Sequence, residues 1–203
     1  MIAVFSTAYL APIQYYIEYT NSIKPNLELF EHYNKQTYRN RCSIMGANKK
    51  LNLIIPIKKS RIQQNQLITN VKINNNENWQ ALHWKSLQAA YRSSPYFEYY
   101  EDDFHILYHK KYIKLIDINN DFHALICKLL SINEKFTYTK KFIKNYKIDF
   151  RYSICPKKCR SLKNYKKYIQ VFSNKIGFFS NLSIIDLLFN LGPEARIYLN
   201  ENI

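Results

Sequence analysis

Residues 33–45, YNKQTYRNRCSIM, hold the chain's densest mixture of side chains able to bind and orient a ligand. Lys35, Arg39 and Arg41 supply cations, and an arginine can grip a carboxylate or phosphate through two parallel N–H donors. Gln36 and Asn40 add amides, while Tyr33 and Tyr38 add flat faces that end in hydroxyls. Alternate side chains of an extended segment share a face, so Arg39 and Arg41 would point the same way and form an anion-binding edge. The same arginines could instead pair with Glu28 or Glu31 in a solvated loop, and the residue types alone leave both readings open. Cys42 follows directly. Beside two guanidiniums its thiol could ionise, but as the first residue of an apolar run it reads better as a small buried hydrophobe.

His83 is the titratable group best placed to work near neutral pH. It shares the apolar face of a helical pattern with Trp79 and Ser86, so it is either a general base toward an amine or a hydrogen-bonded core histidine. Tyr9, just after the first apolar run, offers a ring for stacking. Cys155 and Cys159 are the only close cysteine pair, and a zinc site needs two further ligands, for which His123 and Cys127 at i, i+4 are nearest. Two core-facing helix residues and two loop thiols explain the four equally simply, and no metal is expected. Residues 117–121, DINND, have calcium-loop character but lack the loop glycine and the closing glutamate. No GxGxxG, P-loop or GxSxG occurs, which removes the commonest dinucleotide, NTPase and hydrolase readings and leaves the cofactor unassigned.

Hydrophobic period locates the elements that must position these groups. Residues 2–5 read as a buried strand, and Pro12 opens a helix carrying Ile13, Tyr16, Ile17 and Thr20 at helical spacing. Alternation over 27–30 predicts a second strand, completing a parallel βαβ unit. Such a unit presents functional groups at the carboxyl ends of its strands, where Tyr9 and the 33–41 stretch both fall. Residues 42–45 and 51–57 form a hairpin around Gly46 and Asn48, and alternation over 67–73 predicts another strand. Asn74–Asn76 supply turn chemistry before a helix over 79–92. Ser94-Pro95 starts the next helix, and helical pattern continues to Leu130 with one break, placed at 117–121. Residues 168–172 look strand-like. Asn181 or Ser183 caps a helix through Phe189 that Gly192 stops, and a short helix ends the chain. The expectation is one α/β domain over 1–203, with an N-terminal βαβ unit, a mixed sheet, a helix-rich middle and C-terminal helices.

A chain of 203 residues, 47% of them apolar, can bury a core without staples. Four irregularly spaced cysteines and the absence of a basic leader point to a reducing cytoplasm, and Pro12, Gln14 and Glu18 break the uncharged amino-terminal run before it could span a membrane. The formal charge of +15 raises nucleic acid as a partner. Residues 135–167 hold twelve of the cations against one acid, Asp149, with aromatics interleaved. The abundance of Lys, Asn, Ile, Tyr and Phe with three glycines also fits AT-rich codon usage, in which case much of the lysine is solvated surface. An anionic small molecule is therefore the preferred partner and a polyanion the second.

Several segments together resemble the WbqC-like protein family: STAYLAPIQYY (6–16), EHYNKQTYRNRCSI (31–44), LIIPI (53–57), the WQ-LHW-SL-AY-SPYFEYYED run (79–102), DFRYS (149–153), and QVF followed by GFFSNLSIIDLLFNLGPEA (170–195). The resemblance implies a protein of surface-polysaccharide (O-antigen-type) biosynthesis, with a glycine (aminoacyl) transferase role suggested for some members; the expectation for this chain is transfer of an aminoacyl or acyl group to a nucleotide-linked sugar. It supplies no catalytic residues. On this expectation Lys35, Arg39 and Arg41, with Gln36 and Asn40, hold the anionic part of a substrate such as a nucleotide sugar. Tyr9 and Tyr38 stack on a ring, and His83 is the base. The oligomeric state is not indicated.

Overall fold

The computed structural model describes residues 2–58, 66–133, 135–158 and 165–202. Strand β1 (Ile2–Phe5), helix α1 (Ile13–Thr20) and strand β2 (Lys24–Leu27) form the expected βαβ unit, with Ile2 opposite Lys24 and Phe5 opposite Leu27. Two short strands from much later in the chain, β5 (Thr137–Tyr138) and β6 (Ile148–Asp149), extend it to a four-stranded parallel sheet in the order β5-β2-β1-β6. Strands β3 (Arg41–Met45) and β4 (Lys50–Ile54) pair separately as an antiparallel hairpin. The mixture of parallel and antiparallel pairing is thus divided between two sheets.

The second strand ends earlier than alternation suggests. Glu28 donates its N–H to Phe5 at 2.9 Å. Its carboxylate then turns back to accept the Phe30 N–H, the Thr139 hydroxyl and the Arg151 guanidinium, so the chain leaves the ladder at the residue whose charge must be satisfied. The strand predicted over 67–73 is a 3-10 turn (Ile68–Asn70) flanked by single bridges. Val71 and Ile73 are buried as alternation requires, but Ile68 is buried in place of Leu67 and Thr69. Residues 71–74 bond to 56–58 on one side and 113–115 on the other through single bridges, too short to make a strand. Residues 168–172 likewise have no strand partner among the described residues.

Helices α2 (Trp79–Tyr91), α3 (Phe97–His109) and α4 (Leu115–Leu129) fill the middle of the chain, followed by α5 (Ser173–Ile176), α6 (Ile184–Leu191) and α7 (Glu194–Glu201). The break between α3 and α4 falls at 110–114. Residues 117–121 lie inside α4, where Asp121 accepts hydrogen bonds from Lys110 and Tyr112. Tyr91, Phe97, Phe104 and Phe189 interlock with ring centroids 5.1–5.2 Å apart, a spacing at which tilted and edge contacts are favourable. Gly192 closes α6 at φ 55°, and a Cβ there would run into the Tyr96 ring. Both the left-handed backbone and the close approach require glycine.

Candidate functional site

The 33–41 stretch divides into an exposed half and a buried half. Lys35 and Gln36 are exposed, Gln36 with φ 59°. Arg39 is only 2% exposed. Its Nε and Nη2 donate to the two carboxylate oxygens of Glu31 at 2.8 and 2.5 Å, so this guanidinium is a structural ion pair and has no donor face left for a substrate. Beside it Arg151, fully buried, donates to Glu28 at 3.0 Å and Asp149 at 2.6 Å and reaches the carbonyls of Ile143 and Lys144, with Phe142, Tyr146 and Tyr152 around it. The alternative of an arginine pairing with Glu31 is realised, but inside the protein rather than in solvent.

Tyr9 and His83 also lie within the core. The Tyr9 hydroxyl meets the Tyr108 hydroxyl at 2.5 Å and His83 Nδ1 at 3.0 Å, and its ring stands edge-on to Phe122. Tyr9 is wholly buried and cannot stack on a substrate. Burial pushes His83 down to about 4, a hydrogen bond to the Ile54 backbone working in the other direction. It is therefore a neutral core residue at neutral pH and reaches no substrate surface. Burial likewise pushes the Cys42 thiol up, against activation by its neighbours. His123 and Cys127 touch on α4, Nε2 to Sγ 3.4 Å. Cys159 lies outside the described residues, among which no three metal-ligating side chains gather.

Arg41 differs from Arg39. It is half-buried at the start of β3, forms no ion pair among the described residues, and its Nε is buried without a hydrogen-bond partner. Asn40 Nδ2 donates to the Ile55 carbonyl at 2.9 Å while its Oδ1 is unpartnered. Asn119, whose Nδ2 donates to the Arg39 carbonyl at 2.9 Å, has an unpartnered Oδ1 as well. Buried polar atoms are ordinarily satisfied, and these three exceptions all surround the entry to β3.

Register puts Arg41 on the hairpin face that, one position further along, forms the wall of a groove; Arg41 itself does not line it. Alternation puts Ser43 on the face of Arg41, and Asn52 and Lys50 stand opposite Ser43 and Met45 on β4. Ser43, Asn52 and Lys50 form one wall, with the Ser43 hydroxyl donating to Asn52 Oδ1 at 2.7 Å. Residues 178–182, FFSNL, form the other wall, Tyr38 and Pro156 the end, and the enclosed volume is about 350 Å3. The walls are tied together, because Ser183 donates its N–H to the Ser43 carbonyl at 2.8 Å. Tyr38 accepts the Tyr9 N–H at 2.8 Å, and Asn181 Oδ1 accepts the Gln14 N–H at 3.0 Å in the first turn of α1. Through these bonds the groove is joined to the loop that follows β1 and to the first turn of α1.

Of the predicted substrate residues the groove lining includes Tyr38; Arg41 stands next to it on the same hairpin face, Lys35 and Gln36 lie at the surface, and Arg39, Asn40 and Tyr9 are buried. Ser43, Lys50, Asn52 and the 178–182 segment were not singled out by residue type. The available signal was a polar residue in the middle of each hairpin strand, RCSIM and KLNLI, where a two-sided apolar strand would carry none.

Fold and groove together define an α/β protein with a mixed polar and aromatic groove between its antiparallel hairpin and residues 178–182. The chain belongs to the WbqC-like protein family, whose sequence profile matches residues 29–162. No curated protein and no solved structure matches it. No helix of the described residues is long and apolar enough to cross a membrane.

Proposed function

We propose that the protein is a cytoplasmic enzyme of surface-polysaccharide assembly that binds an anionic, sugar-bearing small molecule, such as a nucleotide-linked amino sugar, in the groove between the hairpin and residues 178–182. The observation that carries this reading is the cation and amide set of the hairpin face: Lys50, Ser43 and Asn52 line the groove, and Arg41, a guanidinium with no described ion-pair partner and an unsatisfied buried Nε, stands next along the same face outside the lining. Lys50 suits a phosphoryl or carboxylate group, and Arg41 could reach the part of a ligand that extends past Ser43. The hydroxyl and amides match sugar hydroxyls, and Phe178 and Tyr38 offer apolar faces to a ring. The described lining holds neither a carboxylate nor an imidazole, so the chemistry that fits is transfer from an already activated aminoacyl or acyl donor. In such a transfer, holding the acceptor nitrogen against the carbonyl is the main contribution. Calorimetric titration with nucleotide-activated amino sugars, followed by mass spectrometry after adding activated donors, tests it. Binding that weakens about tenfold or more in Arg41→Ala is expected, and binding of none of these sugars defeats the reading.

A second reading, polyanion binding by residues 135–167, draws on the presentation of Lys140, Lys141, Lys144 and Lys147. All four are exposed on a loop whose carbonyls are held by buried Arg151. Arg160 and Lys163 of this segment lie outside the described residues. Affinity for single-stranded RNA that falls steeply with salt and disappears in a Lys140/Lys141/Lys144/Lys147→Gln variant would favour it.

A further inference from the structure

On the far side of residues 178–182 the chain exposes a second groove of different character. Residues 166–170 run extended beside α7, with Tyr168 and Gln170 turned inward and Lys167 and Ile169 outward. No described backbone group bonds the N–H or C=O of Lys167 or Ile169, so this stretch belongs to no described sheet and leaves these groups without a described backbone partner. Between it and α7 lies a mainly apolar trough of about 560 Å3. Ile169 is 84% exposed and Ile197 on α7 is 56% exposed, two large apolar side chains bared at one place.

Charge decides what fits there. In a molecule of formal charge +15 this trough is balanced, with Lys166 and Lys167 on one wall and Glu194 and Glu201 on the other. Lys166 and Glu201 pair with each other at 2.8 Å, whereas Lys167 and Glu194 form no ion pair among the described residues. A polyanion would find no excess of cations here. A second copy of this chain would find its complement, since a twofold axis brings each residue of the patch against its counterpart's partner.

We propose that this face is a twofold interface between two copies of the chain. Ile169 of each copy packs on Ile197 of the other, Lys167 of each faces Glu194 of the other, and the two 166–170 stretches lie side by side. The proposal is independent of what the polar groove binds.

Sedimentation velocity on the full chain, over about 1–100 µM protein, should show a monomer–dimer equilibrium. Ile169→Asp should weaken association by about tenfold or more while leaving the circular dichroism spectrum and melting temperature of the monomer in place. Lys167→Glu and Glu194→Lys should each weaken it by creating a like-charge pair, and the two together should restore it, a rescue that loss of folding cannot imitate. A monomer at every concentration in low and high salt overturns the proposal. So does a dimer indifferent to Ile169→Asp, or a double charge swap that associates no better than the singles.

Discussion

Asp186 and His83 are both buried ionisable groups, and burial moves them in opposite directions. Asp186 accepts hydrogen bonds from Tyr91, Tyr168 and Gln170, yet burial outweighs these and raises it from 3.8 to about 6. Between these values the folded chain holds a proton that the unfolded chain has lost, so this group's contribution to stability falls as pH rises through about 6. His83, lowered from 6.5 to about 4, stays neutral while the unfolded chain is protonated, so its contribution rises with pH over nearly the same interval. Each shift corresponds to about 3 kcal/mol, and the two largely cancel. Melting temperature should therefore vary little between pH 4 and 6.5 from these groups in the native protein. Asp186→Asn should lose stability as pH falls, and His83→Gln should gain it. Parallel pH profiles for all three proteins would refute the assignment. The two arginines of the RNR triplet make a second contrast. Arg39→Ala strands buried Glu31 and should cost about 3–5 kcal/mol in urea denaturation. Arg41→Ala, which breaks no ion pair, should leave the midpoint nearly unmoved while weakening ligand binding.

At the scale of elements, Arg151 turns an irregular loop into a fixed one. Its Nη2 reaches the carbonyls of Ile143 and Lys144 while Nη1 holds Glu28 and Nε holds Asp149, a spread of donors that lysine lacks. Arg151→Lys should make residues 140–147, with their four exposed lysines, a preferred site of trypsin cleavage, whereas the native loop resists. Gly192→Ala should likewise destabilise by more than about 1 kcal/mol, since both its backbone conformation and the Tyr96 ring oppose a Cβ. These cases mark what could be read in advance. The βαβ unit, the hairpin and the Gly192 stop were legible because period, turn chemistry and a left-handed glycine are local properties. The strand expected at 67–73 was not realised, because its first half turns into a 3-10 helix and only 71–74 meet neighbours, through single bridges to distant segments that no local pattern announces. Arg39 and Arg41 are alike in sequence, and only the approach of Glu31 makes one a fixed ion pair and leaves the other unpaired. The groove was partly legible: Tyr38 belongs to a conspicuous polar stretch that also brings Arg41 next to it, but its opposite wall comes from residues 178–182, far along the chain.

Across the whole molecule, function and stability occupy different charges. The buried carboxylates Glu28 and Glu31 satisfy arginines, while exposed lysines carry the surplus. High salt should therefore weaken binding of an anionic ligand in the hairpin groove while barely affecting folding, because screening acts on exposed charges far more than on buried pairs. Titration and urea denaturation run in parallel at low and high salt check this, and a large loss of folding stability at high salt would contradict it.

The parallel sheet has one further consequence, concerning the order in which the protein is made. Its central strands, β1 and β2, precede both outer strands, β5 and β6, which are drawn from residues 137–149. Val4 cannot meet Asp149, nor Leu27 meet Tyr138, until synthesis has passed the intervening helices. A nascent chain stopped before β5 should thus hold a two-stranded parallel pair with both edges open, a state with few local contacts to stabilise it. The amino-terminal unit that looks most self-sufficient in the sequence is the part that must wait longest for its neighbours.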